Sequence, residues 1–295
     1  NLPGRQEASG PQGKTRWAID SDSMRGTPTS EIYTNGSASD GEIMVKAPRI
    51  EREKKTDVIT ATGKVYYFSE KANIVCDKAV IYQKEKRAVL TGNVRMLVKP
   101  KDQEKLDFTE VAPFEPLVPN KVLNDRPAPP PSAQAQQEKD LDDELRSSKT
   151  VRKYPVKVQA ARVEYWYAKG QRKATITGNP QARQELAGGR WRHIWTHQAF
   201  YDGEKETLRL VSDKDKRDTR MKNSIEDDLV AQAVTISTRE EDEDYEVEKP
   251  KGFVHTDPQD DPRDKKGGGT PPPANTGGGS GGTGGGSPQA GTGRS

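Results

Sequence analysis

Residues 72–98, ANIVCDKAVIYQKEKRAVLTGNVRMLV, read as two β-strands joined by a polar turn at Gln83–Arg87. Alternate positions of the second strand are apolar, and this face consists of Ala88, Leu90, Gly92, Val94, Met96 and Val98. Because successive side chains of a strand point to opposite faces, the alternation predicts a strand with one buried face. A glycine inside such a strand is typical of a bulge or bend. We expect the strand to turn a corner at Gly92 and continue; a plain turn between two shorter strands is the alternative.

The corner pattern recurs along the chain. Gly63 and Gly178 also follow a threonine, and each glycine alternates with the apolar residues on the same predicted strand face. Gly63 and Gly92 are 29 residues apart, a spacing typical of stacked repeat units. In the strand before each corner, the apolar residues change once between even-numbered and odd-numbered positions, as between Ile74 and Ala79; we call this a change of parity. A one-residue change of parity is what a β-bulge produces. The predicted unit is a bent strand, a short polar turn and a second bent strand.

These motifs resemble a known family. The segments Cys76–Tyr82, Arg87–Val94, Ala161–Tyr165 and Lys173–Asn179 are similar to the OstA-like domain of LptA-type periplasmic lipopolysaccharide-transport proteins, a β-jelly-roll repeat family. The resemblance covers residues 41–98 and 157–211, with a weaker echo at 229–237. It implies an all-β fold, an open V-shaped β-jelly roll of stacked bent antiparallel strands. In that family the apolar interior holds the acyl chains of lipopolysaccharide.

We expect five segments along the chain. They are a largely irregular N-terminal extension at 1–40, a first OstA-like repeat block at 41–100, a Pro-rich and charged linker at 101–150, a second repeat block at 151–248, and a disordered Gly-rich tail at 249–295. Within the linker, residues 132–148 have only Leu141 and Leu145 as an apolar stripe. Such a stripe buries little surface, so we expect a disordered, flexible linker with at most a marginal helix.

Composition confines the folded core to part of the chain. Hydrophobic residues make up 30% and charged residues 32% of the 295 residues, and the mean hydropathy is -1.00. This is too polar for one compact globule of that length and favours one β-domain with extensive disordered segments. The 48 basic and 45 acidic residues nearly balance, which argues against a dedicated nucleic-acid binder. No apolar run is long enough for a transmembrane segment.

The residue patterns give no positive indication of an enzyme. On a strand, His193 and His197 would lie about 13 Å apart and could not share a metal, so surface or rim positions are favoured. Gly188-Gly189 lacks the lysine and helix of a phosphate loop and predicts a hairpin turn. Because Cys76 is the single cysteine of the sequence, an internal disulfide is excluded. Cys76 alternates with apolar residues on its predicted strand, which predicts a buried, inert thiol. We expect no catalytic residues, metal or cofactor.

The functional candidate is therefore the apolar face. If the units stack in register, it forms one continuous interior, and the predicted lipid-groove residues are Ile59, Ala61, Val65, Tyr67, Ile74, Ile81, Leu90, Val94, Met96, Val163, Tyr165 and Ile176. Burial of acyl methylenes there would contribute about 0.8 kcal/mol each. The flanking basic residues either meet phosphates at the mouth of the groove or are solvated on the outer face; they are Lys64, Arg95, Lys99 and Arg162. A closed, dry β-sandwich core is the alternative for the same face.

The resemblance then implies a non-catalytic envelope protein. It would bind lipopolysaccharide or another acylated amphiphile and help to carry it to the outer membrane. Its free strand edges would pair with other OstA-like proteins. We expect a periplasmic location, with a signal peptide already removed from the chain that begins at Asn1.

Two other functions compete with this hypothesis. The first is a glycan-binding or structural β-repeat module of the cell surface, in which Trp166, Trp191 and Trp195 form a sugar-stacking platform. The second is binding of single-stranded nucleic acid by aromatic and basic residues on a sheet.

Overall fold

The computed structural model describes residues 17–112, 114, 132–214, 216–239, 242 and 244–253. Its strands are β1 (Ala18–Asp20), β2 (Ser23–Gly26), β3 (Ser30–Ser39), β4 (Ile43–Glu53), β5 (Val58–Ser69), β6 (Ala72–Tyr82), β7 (Arg87–Val98), β8 (Val156–Trp166), β9 (Lys173–Thr177), β10 (Gln181–Glu185), β11 (Trp191–Trp195), β12 (Gln198–Asp202), β13 (Thr207–Val211), β14 (Thr219–Asn223), β15 (Asp228–Ala231), β16 (Ala233–Ser237), β17 (Tyr245–Glu248) and β18 (Lys251–Phe253). The described part also contains helix α1 (Ser132–Arg146) and 3-10 turns at Gln83–Glu85, Lys101–Gln103, Ser148–Arg152 and Ala187–Gly189. All the strands join one antiparallel sheet, which confirms the predicted all-β fold.

Strands β4 to β8 are long because each passes through a bend. The pairing register between neighbours shifts once per pair, for example between Thr62 and Val65 and between Thr91 and Val94. Gly63 and Gly92 lie at these shifts with φ of 97° and 78°, and their strands continue past them. The predicted corners are therefore confirmed at these two sites. At Gly178 the chain instead breaks into β9 and β10, so the alternative of a turn between two short strands applies there.

The bend at Gly92 depends on the absence of a side chain. The backbone of Gly92 has a positive φ and approaches Asp77 of the neighbouring strand so closely that a Cβ would lie 2.8 Å from the Asp77 Cβ. The next residue, Asn93, also has a positive φ, of 46°. Its side-chain amide donates to the Asp77 carboxylate at 2.8 Å. Glycine adopts this backbone region without steric cost, and asparagine tolerates it better than most residues.

The bends divide the sheet into two facing walls. In β8, the half at Arg162–Trp166 pairs with β9 and the half at Val156–Gln159 pairs with β10. From there on each strand belongs to one wall only. Wall A continues with β9, β12, β13, β16 and β17, and wall B continues with β10, β11, β14, β15 and β18. The apolar faces of the two walls meet in the interior, which confirms the open V-shaped β-jelly roll.

We call the line of bends the vertex and the opposite side, where the hairpin turns lie, the mouth. Beyond β8 the strands are interrupted at the vertex, and buried hydroxyl groups join the pieces there. The Thr219 hydroxyl lies within hydrogen-bond distance of the Thr196 and Ser212 hydroxyls, at 2.8 and 3.1 Å. Ser212 also donates to the backbone carbonyl of Ala231 at 2.8 Å. These bonds satisfy polar groups that the strand breaks would otherwise leave unpaired inside the protein.

Both ends of the sheet have free edges. Within the described residues, β1 and β2 pair only with β3. At the other end, β17 pairs only with β16 and β18 only with β15. The sheet is therefore open rather than closed into a barrel, and each end presents two short strands with unpaired backbone groups.

Several segments contain more strand than the sequence predicts. Residues 17–40, expected to be largely irregular, form β1 to β3, and β3 pairs with β4 and contributes Tyr33 and Ala38 to the core. The charged segment at 213–223 contains β14. The segment at 229–237, where the resemblance is weaker, contributes to two strands, β15 and β16. At the start of the tail, 251–253 forms β18, and the tail from 254 onward lies outside the described residues.

The insertion between β7 and β8 starts from the mouth of wall B, where it replaces a hairpin turn. In its first part, Phe108 packs edge-on against Phe68 with ring centroids 5.9 Å apart. Asn73 donates to Asp107 and to the Thr109 carbonyl, each at 2.9 Å. In its second part, α1 confirms the predicted helix. The described parts thus differ from a flexible linker, because contacts with the sheet supply the burial that the helix stripe lacks.

Alanine at Gly92 should destabilise the protein far more than alanine at Gly170. Both glycines have a φ of 78°, but the space around Gly170 is open, whereas a Cβ at Gly92 meets Asp77. We expect a loss of about 1 kcal/mol in the free energy of unfolding for Gly170→Ala, from backbone strain alone. The added steric clash should bring the loss for Gly92→Ala to roughly 3 kcal/mol. Urea unfolding measures both, and equal losses would contradict a close approach at the bend.

Candidate functional site: an apolar cavity below a helical cover

The interior is filled in the half formed by β3 to β7. Large inner-face side chains from both walls, such as Ile43, Ile59, Tyr67 and Leu90, have no exposed surface. Salt bridges also join turns of opposite walls at the mouth. Lys86 pairs with the buried carboxylate of Asp40 at 2.8 Å. This half is therefore an ordinary closed core.

The other half contains a partly open cavity of about 420 Å³ between the walls. Its apolar lining comes from β6 to β16; among the residues are Ile74, Met96, Val158, Val163, Ile176, Ile194, Leu208, Leu210, Met221, Leu229, Val234 and Ile236. A cavity of this size and character lies within the range of small-ligand sites.

Small and large side chains both line this space. Ala174 of β9, Ala182 of β10 and Ala199 of β12 do so beside Leu208 and Met221. The filled half likewise combines alanines with Ile59 and Tyr67 on its inner face. Side-chain size alone therefore does not distinguish the two halves.

The predicted groove residues divide between the two halves. Five line the cavity, namely Ile74, Met96, Val163, Tyr165 and Ile176. The other seven have at most 1% of their surface exposed and lie in the main core cluster, namely Ile59, Ala61, Val65, Tyr67, Ile81, Leu90 and Val94. Sequence reasoning missed the contributions of β10 to β16. Leu208 and Leu210 carry an alternating signal that was available, whereas Met221 lies in a segment whose charges hide its strand pattern.

A helical segment covers the mouth above the cavity. We call residues 132–152 the cover. Arg190 of the β10–β11 turn pairs with Glu138 and, at 2.8 Å, with Asp142 of α1. Leu141 packs on the turn so closely that a Cβ at Gly188 would lie 2.5 Å from the Leu141 Cδ1. This turn is the predicted hairpin at Gly188-Gly189, which the pairing of β10 with β11 confirms.

The cover spans the mouth from wall B to wall A. On wall B, Arg146 pairs with Asp227 at 3.4 Å. On the wall A side, Ser148 donates to the carbonyl of Asp242 at 3.4 Å. Leu145, 2% exposed, and Val151 line the cavity from above. The apolar side chains of the cover thus complete the roof of the cavity, while its polar groups hold it to both walls.

Arg192 holds the end of α1 from inside the mouth. Its guanidinium donates to the carbonyls of Leu145 and Ser147 at 3.5 and 3.3 Å, and to the Thr150 hydroxyl at 2.8 Å. It also donates to the Gln184 amide oxygen at 2.6 Å. All these partners are neutral. Burial lowers the pKa of Arg192 to about 10. A cation at the C-terminus of a helix stabilises it through the helix dipole.

The predicted rim position of His193 is wrong. His193 is 4% exposed and stacks on Trp195, with ring centroids 3.9 Å apart. The sequence pattern concealed this because a histidine between two tryptophans looks like a polar position on an exposed strand face. Burial, and then the positive charge of Arg183, lower the pKa of His193 to about 4. The imidazole is thus held neutral in its aromatic surroundings.

The three tryptophans do not form one surface. By strand alternation Trp166 lies on the outer face of wall A, and Trp191 and Trp195 lie on the outer face of wall B. Basic side chains cover their rings. Lys173 lies 4.7 Å from the Trp166 ring centre, and Arg183 lies 4.9 Å from that of Trp191.

The remaining candidate groups are structural in their contacts. Cys76 is 2% exposed, as predicted, and burial raises the pKa of its thiol to about 12. Among the flanking cations, Lys99 is buried and pairs with Asp107 at 2.8 Å, and Arg162 pairs with Glu164 at 2.9 Å. Over the residues that the structure describes, no group of three or more His, Cys, Asp or Glu side chains is arranged to hold a metal ion.

No protein-family model and no curated protein matches this chain. Among solved structures, a similar chain is that of LptH from Pseudomonas aeruginosa, described as the LptA-homologous periplasmic component of a conserved lipopolysaccharide transport device. The match is 12% identical, covers 62% of this chain and 94% of LptH, and has a TM-score of 0.36. A likeness of this size assigns neither a family nor a function. In the described part of the chain, no helix is both long and apolar enough to cross a lipid bilayer.

Replacing His193 by a residue that does not titrate should reduce the loss of unfolding free energy at acidic pH. Because the folded-state pKa of about 4 is below the ordinary value of 6.5, the neutral histidine favours the folded state, and this contribution is lost as pH falls from 6.5 to about 4. The difference corresponds to about 3 kcal/mol. In His193→Phe, the loss of unfolding free energy over this range should be smaller than in the wild type by that amount. His197→Phe, at a half-exposed site, is the control, and an unchanged slope for His193→Phe would refute the assignment.

Proposed function

We propose that this chain is a non-catalytic binder of acylated amphiphiles, with lipopolysaccharide or a related lipid as its ligand. The observation that carries the proposal is the apolar cavity of about 420 Å³ that the protein's own side chains leave open between its walls. Burial of acyl methylenes in such a space contributes about 0.8 kcal/mol each. The lining has a large apolar area with few polar groups, which suits a hydrocarbon chain better than a sugar or a nucleotide.

The charges around the cavity favour an amphiphile over a neutral hydrocarbon. The charged lining residues are Lys71, Arg146, Arg152, Arg192, Lys222 and Asp227. Cations therefore outnumber carboxylates around an otherwise apolar space. An acyl chain that carries an anionic head would match both properties, because charge-assisted hydrogen bonds to arginine and lysine are the usual means of binding phosphate and carboxylate groups.

We further propose that the open edges connect copies of this fold. Strands β1 and β2 at one end and β17 and β18 at the other present unpaired backbone groups. Tyr245 and Phe253 lie on the second pair of strands with 67% and 77% of their surface exposed. An added strand from another OstA-like protein would cover both the backbone groups and these aromatic rings. In that arrangement the chain would act in the periplasm as one element of a lipid path to the outer membrane.

Ala182→Phe should weaken ligand binding without unfolding the protein. Ala182 lines the cavity from wall B, so the larger ring fills the space that an acyl chain would occupy. We expect at least a tenfold loss of affinity, about 1.4 kcal/mol or more, for a fluorescent fatty-acid probe and for lipopolysaccharide. Probe fluorescence and native mass spectrometry after incubation with lipopolysaccharide measure the two ligands.

The matched control is Ala112→Phe, which adds the same ring at an exposed position of the insertion. This variant should bind as the wild type does. Thermal unfolding establishes that both variants are folded. Undiminished binding of both ligands by a folded Ala182→Phe variant would refute the cavity as the site.

A further inference from the structure

A carboxylate of the insertion lies between two cations at the mouth. The side chain of Glu104, which ends the 3-10 turn after β7, accepts hydrogen bonds from the ammonium of Lys71 and from the guanidinium of Arg152. The side chains of Glu104 and Arg152 are 10% and 9% exposed, and that of Lys71 is 22% exposed. Three charges are thus held largely out of water, with two positive charges against one negative.

The two cations belong to the cavity, whereas the carboxylate does not. Lys71 and Arg152 both line it, together with Tyr201, whose hydroxyl lies 3.5 Å from a terminal guanidinium nitrogen of Arg152. The Nε of Arg152 is buried without a hydrogen-bond partner. Glu104 approaches these groups from the insertion. A buried donor without a partner beside an apolar cavity indicates a site for an acceptor that a ligand would bring.

Glu104 can leave this position without breaking the sheet. It follows β7 and is joined to the turn by a 3.4 Å hydrogen bond from its backbone amide to the Lys101 carbonyl. No strand pairing includes it. Lys71, in contrast, lies in the hairpin turn between β5 and β6, and Arg152 lies in the 3-10 turn that ends the cover. An incoming anion could therefore replace the Glu104 carboxylate while the cations stay in place.

We propose that Lys71 and Arg152 form the headgroup site for an anionic amphiphile, and that Glu104 is an internal competitor for it. This inference rests on the proposed function, because the acyl part of the ligand lies in the cavity already described. The head is a phosphate or carboxylate group, and the chain supplies most of the affinity. When the ligand binds, its head takes the place of the Glu104 carboxylate, and the buried charges become better balanced.

The test compares amphiphiles that differ only in the head. Dodecyl phosphate and dodecanol displace phenylnaphthylamine, a neutral fluorescent probe, from the full chain. In Glu104→Gln the concentration of dodecyl phosphate needed for half-displacement should fall about tenfold, the effect of one charge-assisted hydrogen bond. In Arg152→Met it should rise about tenfold for the same reason. The concentration of dodecanol needed for half-displacement should be the same in the wild type and in both variants.

Glu110→Gln is the matched control, because Glu110 lies in the same segment and pairs at 3.1 Å with Lys46 at an exposed site. The concentration of dodecyl phosphate needed for half-displacement from Glu110→Gln should equal that for the wild type. If Glu104→Gln leaves the value unchanged, or shifts dodecanol by the same factor, the headgroup site is refuted while the acyl cavity stands. If neither amphiphile displaces the probe from the wild type, the proposed function fails and the headgroup site fails with it.

A thermal-shift titration with inorganic phosphate separates an amphiphile from a free anion. We expect phosphate alone to raise the Tm of Glu104→Gln much less than dodecyl phosphate does, because it gains nothing from the cavity. Equal stabilisation would overturn the assignment to an amphiphile. Circular dichroism of each variant verifies the fold, and Arg152→Met, whose effect has the opposite sign, keeps the test decisive if Glu104→Gln is poorly folded.

Discussion

The architecture depends on one constraint, the bend at the middle of each long strand. The pairing register between neighbouring strands shifts at the bend, and the apolar positions before and after it face each other across the interior. In β6 the buried positions pass from even to odd numbers there, between Ile74 and Ala79, whereas in β7 they stay on even numbers. Gly63 and Gly92 permit this turn because their positive φ values, 97° and 78°, carry no steric penalty. Repetition of the bend along the chain produces the two walls, and the mouth lies opposite the vertex.

The two halves of the sheet differ in what lies between the walls. In the half with β3 to β7, isoleucine, leucine and tyrosine meet across the interior and leave no exposed surface. In the other half a cavity lies between the walls, with Leu145 and Val151 of the cover on its mouth side and several cations at the same mouth. The interior therefore combines a packed core and an apolar cavity within one continuous sheet.

The alternating pattern and its breaks were sufficient to predict the bent strands, the hairpin at Gly188-Gly189 and the burial of Cys76, because each of these depends on neighbours close in sequence. The division of the groove was not predictable in this way. Leu90 and Met96 share one parity on one strand, yet Leu90 is packed and Met96 lines the cavity. What separates them is that Met96 shares the cavity with strands β9 to β16, which lie far away in sequence. The docking of the cover was not predictable for a similar reason, since Arg190 and Arg192, which hold α1 at the mouth, lie far from it in sequence.

The interruption of the strands beyond β8 has a mechanical consequence. Where a single backbone crosses the vertex, as at Gly92, spreading the walls would strain covalent geometry and a continuous ladder of hydrogen bonds. Where the strands end and restart, the walls are joined by short connections and by the hydroxyl contacts of Thr196, Ser212 and Thr219. Connections of this type rotate more easily than an unbroken strand. The walls around the cavity should therefore spread apart more readily than the walls of the filled half.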